Sequence, residues 1–112
     1  MTTAPRFSAQ YELGPSPDEF GNKIMTIRCH GRLVSDTAQE LKDLVKPLIG
    51  KGGRIVIDLT DVSHLDSSGL GTLVGLKVSA INAGLCILEV TNVSKQVSEL
   101  FRISKLTQLF SS

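Results

Sequence analysis

"RIVIDLTDVSHLDSSGLGTLVGL", residues 54–76, changes character half-way along. Its first part, Arg54 to Leu59, is a short, nearly continuous apolar run rich in β-branched side chains. That composition predicts a strand in the middle of a sheet with both faces covered. The second part spaces its apolar residues by three and four. Leu70, Leu73, Val74, Val78 and Ile81 share one helical face with Lys77 opposite, and Gly84 supplies a C-terminal stop. A buried strand feeding an apolar helix is the building unit of an α/β domain.

Working outward, residues 85–90 ("LCILEV") predict a second buried strand. Ser94 then opens a helix whose inward residues are Val97, Leu100 and Phe101, and "KLTQLF" (105–110) adds a short edge strand or packs as a tail. Toward the N-terminus, residues 36–49 predict a helix with the stripe Ala38, Leu41, Leu44, Val45 and Leu48. Asp36 or Thr37 can cap it, each with Gln39 or Glu40 at capping-box spacing. Pro47 has no N–H for the carbonyl of Asp43, so it kinks or ends the last turn, and "GKGG" stops the helix. Residues 6–13 and 23–30 predict strands; in the second, Met25, Ile27 and Cys29 alternate with more polar neighbours. The turn-rich "GPSPDEFGN" (14–22) between them is longer than a tight hairpin requires. The order is β-β-α-β-α-β-α, an α/β fold with right-handed crossovers and a mixed or parallel sheet.

A chain of 112 residues fits one domain, here 1–112 with a flexible start over 1–5, and is long enough to bury a core without metal or disulfide. With twelve basic and eleven acidic residues the net charge is +1, and there is no Trp and one Tyr. Neither the charge nor the aromatic content suits a nucleic-acid binder or an anionic membrane surface. Cys29 and Cys86 lie far apart in apolar stretches without metal-ligand spacing and read as buried strand residues. No apolar run reaches the roughly 20 residues of a membrane span, and the start lacks a signal-peptide layout, which predicts a cytoplasmic location.

Ser67-Ser68 follows Asp66 where the helix begins. A helix start leaves backbone N–H groups unpaired, and serine is a good residue to satisfy one of them. Ser68 is the better cap because Gly69 and Leu70 already begin the helical pattern. Ser67 then sits just outside the helix with its hydroxyl free, facing the positive end of the macrodipole, where a phosphate is tolerated. Asp66 shapes this site.

The segment "IVIDLTDVSHLDSSGLGTLVGL" resembles the signature of STAS domains of the anti-sigma factor antagonist family, in which a buried strand leads into Asp-Ser-Ser/Thr-Gly-Leu-Gly at a helix start. The resemblance runs from about residue 23 to 110 and includes "GRLVSDTAQEL" and "SKQVSELFRISKLTQLF". It implies a non-enzymatic partner switch without a cofactor of its own. Ser67 would be phosphorylated by an anti-sigma factor that is also a serine kinase bringing ATP and magnesium. The unphosphorylated form would bind that kinase, the phosphorylated form would release it, and a PP2C-type phosphatase would reset the switch. The implied contact surface is Ser63, His64, the first helical turn with Gly69, Leu70 and Gly71, and the segment Leu33, Val34, Ser35, Asp36 and Thr37. In one respect the chain departs from the pattern. Phosphorylated members carry an Asp after a Glu-Leu pair at the end of the second strand, and here the stretch is Arg32-Leu33-Val34, with Asp36 two positions on. A STAS module that senses a ligand or scaffolds a complex without phosphorylation is therefore the second reading.

Two further patterns carry less. Gly69, Gly71 and Gly75 do not directly follow a strand as a dinucleotide fingerprint requires. They bring the helix close to the sheet, or Gly71 and Gly75 leave room for a partner helix. His64, Asp66 and the serines are sequence neighbours, whereas a catalytic triad converges from separate segments. His64 reads as a loop residue and His30 as a strand end.

Overall fold

The computed structural model describes residues 7–84 and 86–103. They form β1 (Phe7–Leu13), β2 (Ile24–Leu33), α1 (Ala38–Ile49), β3 (Gly53–Leu65), α2 (Ser67–Ala83), β4 (Cys86–Thr91) and α3 (Lys95–Ile103). This is the expected order. One sheet runs β1-β2-β3-β4, with β1 antiparallel to β2 and the other two pairs parallel, so the sheet is mixed. The expected flexible start and the "KLTQLF" segment lie outside the described residues.

The register separates an apolar face from a polar one. Tyr11, Ile27, Ile57 and Val90 lie in one row across the four strands, and Leu13, Met25, Ile55 and Leu88 in the next. Ile27, Ile55, Ile57 and Leu88 are buried in one core with Leu41 and Val45 of α1 and Leu73 and Leu76 of α2. Rows on the other face carry charge instead. Arg28 pairs with Glu12 at 3.6 Å, and Arg54 pairs with Glu89 at 3.1 Å and with Asp18 of the β1–β2 connection at 3.6 Å. The expectation that both faces of "RIVIDL" are covered is therefore corrected. Ile55, Ile57 and Leu59 are buried while Arg54, Val56 and Asp58 are only half-buried, the period-two pattern of a sheet solvated on one side. β4, expected to be buried, is an edge strand among the described residues, and its Ile87 is exposed.

Two strands are longer than expected. β2 runs on to Leu33 and β3 to Leu65, which places His30 and His64 inside strands, not at a strand end and in a loop. The ladder survives this length through register shifts between Arg28 and His30 and between Gly31 and Arg32. Such bulges take up an extra residue and change the strand's direction.

Both sides of α2 are apolar, so spacing alone could not say which is buried. The structure buries Gly69, Leu70, Leu73, Leu76 and Ala80 and leaves Val78 and Ile81 exposed. Fully burying a Leu is worth about 1.5–3 kcal/mol, and the chosen face carries three of them. Lys77, expected opposite the core, turns its amine to the carbonyl of Leu88 on β4 at 2.6 Å. α1 ends two residues beyond Pro47, near the C-terminus, where the missing N–H costs one hydrogen bond of the last turn. α3 starts as expected, with Ser94 Oγ accepting from the N–H of Val97 at 3.1 Å.

Candidate functional site

The strand ends define the site. Leu33 pairs with Leu65 and Arg32 with His64, so the connections that follow β2 and β3 emerge side by side. One carboxylate joins them. Asp66 Oδ1 accepts from the N–H of Gly69 at 2.9 Å, and Asp66 Oδ2 accepts from the N–H of Ser35 at 3.1 Å. Asp66 is thus the N-cap of α2, and it also holds the β2–α1 connection. The backbone bond from Gly69, foremost, and that from Ser35 keep its carboxyl below the ordinary carboxylate range, so it stays ionised.

This corrects the assignment of the serines. Ser68 is not the cap, and Ser67 is not outside the helix: they are its first two residues. Aspartate caps as well as serine does and precedes both, and its second oxygen gains a bond that a serine hydroxyl has no second oxygen to make. Both serines are exposed, and among the described residues neither hydroxyl makes a hydrogen bond. Ser67 Oγ is therefore free, for a different reason from the one the sequence suggested.

Thr37 is the N-cap of α1, yet its hydroxyl makes no cap bond. It faces backwards, donating to the carbonyl of Arg32 and accepting from the N–H of Val34 at 3.0 Å. Thr37, not Asp36, is the N-cap, and the capping box expected at Thr37 does not form because this buried hydroxyl is used to close the turn leaving β2. Of the expected contact residues, Ser63, His64, Ser35, Asp36 and Gly71 are exposed, and Val34 is half-buried. The side chains of Leu33, Thr37 and Leu70 are buried and shape the site from beneath.

Beside Asp66 opens a cleft of about 400 Å³. Its apolar part is Val34, Leu65, Val97 and Leu100, and its polar part includes Arg32, Asp36, Ser63 and His64. Ser63 Oγ donates to the carbonyl of Gly31 at 3.2 Å and lies 3.1 Å from His64 Nδ1. Arg32, Val97 and Leu100 were not among the site residues expected from the sequence. The inward spacing of Val97 and Leu100 was legible, but nothing local says that α3 closes against the ends of β2 and β3. Cys29 and Cys86 are buried free thiols, as expected, and burial pushes the Cys29 thiol up to about 12, leaving it unreactive.

The family model for the STAS domain matches residues 18–112. The chain belongs to the STAS domain family. Among curated proteins, this STAS domain is 34% identical over 89 residues to an anti-sigma-B factor antagonist of Staphylococcus aureus, covering 79% of this chain and 82% of that protein. It therefore groups with the anti-sigma factor antagonists. Solved structures share the fold. A putative anti-sigma factor antagonist from Thermotoga maritima superposes with a TM-score of 0.74 at 20% identity, over 88% of this chain and 80% of its own. The phosphorylated form of the Bacillus cell fate determinant SpoIIAA superposes with a TM-score of 0.63 at 20% identity, over 89% and 87%.

Proposed function

We propose that this STAS domain acts as a phosphorylation-controlled partner switch: unphosphorylated, it binds an anti-sigma factor that is a serine kinase, and phosphorylation of Ser67 releases it. The observation that carries the reading is the exposed Ser67 hydroxyl at the first position of α2, free of hydrogen bonds because Asp66 is the cap. A phosphate there faces the N-terminal end of the helix dipole, so the fold tolerates it. It adds about −1.5 to −2 charges and takes the net charge from +1 to between about −0.5 and −1. The local change matters more. A new dianion beside ionised Asp66, pressed into a closing interface, costs desolvation and like-charge repulsion, and each ~1.4 kcal/mol lost is a factor of ten in affinity. Binding is lost without refolding, and a PP2C-type phosphatase restores it.

Incubation with the cognate kinase and magnesium-ATP, followed by intact mass measurement, tests this. One phosphate is transferred to the wild type and to Ser68→Ala, and none to Ser67→Ala. Transfer to Ser67→Ala, or none to the wild type, refutes the reading. The cleft beside Asp66 favours a second one, a STAS module governed by a small ligand, because its size lies in the range of small-molecule sites. That reading requires an unphosphorylated protein whose Tm rises with a small ligand.

A further inference from the structure

The side of α2 turned away from the sheet exposes apolar side chains. Ser67, Gly71, Val74, Val78 and Ile81 recur at i, i+4, i+7, i+11 and i+14, one stripe along the helix. Val78 is 43% and Ile81 57% exposed, values high for β-branched apolar side chains on a helix otherwise packed into the core. A Cβ built at Gly71 or Gly75 meets nothing within 4 Å, so these glycines are not needed to bring α2 onto the sheet. The stripe carries no charge: Lys77 is the single charged residue of α2, and its amine is committed to the Leu88 carbonyl.

From Ser67 to Ile81 the stripe is about 21 Å long. A stable dimer needs about 800 Å² from each partner, more than one helix stripe offers by itself, so a second copy is a poor occupant. The stripe is, however, continuous with the surface around Ser67, and a protein already covering that surface extends onto it without a separate interface. We propose that the partner recognising unphosphorylated Ser67 grips α2 along this whole stripe. It seats an uncharged apolar helix over Gly71 and Gly75 and against Val74, Val78 and Ile81. This rests on the reading of Ser67 given above and adds a grip that phosphorylation does not touch. Val78 and Ile81 lie beyond the roughly 8 Å over which salt leaves a phosphate's field effective.

The test is the affinity of the purified chain for the kinase used in the phosphorylation assay, together with steady-state phosphorylation. Val78→Asp and Ile81→Lys each weaken binding roughly tenfold or more. Both raise KM for phosphorylation at unchanged kcat, and both leave Tm near the wild-type value because the altered side chains point into solvent. Val78→Ile retains wild-type affinity. The losses in Ser67→Asp and Ile81→Lys multiply in the double variant, as expected for sites more than about 10 Å apart. If Ser67→Asp loses binding while Ile81→Lys binds as the wild type, the switch stands and the stripe is refuted. If both bind as the wild type, both readings fall. If sedimentation reveals a wild-type dimer that Ile81→Lys dissolves at unchanged kinase affinity, the stripe is a self-interface and the proposal is overturned.

Discussion

A methyl group added at Gly69 would run into the carbonyl oxygen of Leu33, whereas one added at Gly75 would meet open space. Three glycines that look alike in sequence therefore have different reasons to be there. At Gly69 the backbone of α2 comes against the end of β2, and the obstacle is main chain that cannot swing aside. Gly69→Ala is expected to cost about 2 kcal/mol or more, in the range of overpacking. Gly75→Ala is expected to stabilise by about 0.5–1 kcal/mol, since alanine loses less backbone entropy than glycine in a helix. Urea unfolding at unchanged m-value measures both, and equal effects at the two positions would contradict this account. The sequence offered both explanations of the glycines, close approach and open space; which applied to which residue depended on the neighbour across the fold.

Asp66 acts between elements, joining the start of α2 to the connection between β2 and α1. Its folded-state carboxyl titrates below the ordinary range because ionised oxygen accepts these backbone bonds. The sign follows from linkage. A depressed carboxylate contributes its full stability above the unfolded value near about pH 4 and loses it as pH falls through the folded value. Asp66→Ala is expected to lower Tm by several degrees at neutral pH and to narrow its gap to the wild type on acidification. Ser68→Ala leaves Tm unchanged. Calorimetry across that pH range decides between them, and a Ser68→Ala loss equal to that of Asp66→Ala would restore serine as the cap. The helix start was legible from the Asp-Ser-Ser-Gly run, but the identity of the cap was not. Asp66 has a second oxygen, and its partner Ser35 lies 31 positions earlier in the chain, a contact no local pattern encodes.

At the scale of the molecule, the protein is a sheet with helices over its apolar face and ion pairs on the other. Order in the sheet sets local stability. β2 and β3 are hydrogen-bonded on both sides, while β1 and β4 each have one described neighbour. Native-state hydrogen exchange is expected to be slowest at Ile27, Ile55 and Ile57 and faster along β4, because opening free energy falls toward edges with fewer buried contacts. Protection of β4 equal to that of β3 would mean that its outer edge is covered in solution. The expectation of a fully buried β4 failed here: an apolar run tells how much a strand can bury, not whether a neighbour stands beyond it.

Element order, the buried cysteines and the position of Ser67 at a helix start were determined by the sequence alone, because periodicity, caps and breakers act over a few residues. Tertiary structure decided which apolar side of α2 faces the core, which residue caps it, and how α3 closes a cleft against the strand ends. It also left the Val78–Ile81 stripe uncovered. In each of these cases local chemistry allowed more than one arrangement, and contacts between residues far apart in the chain chose one.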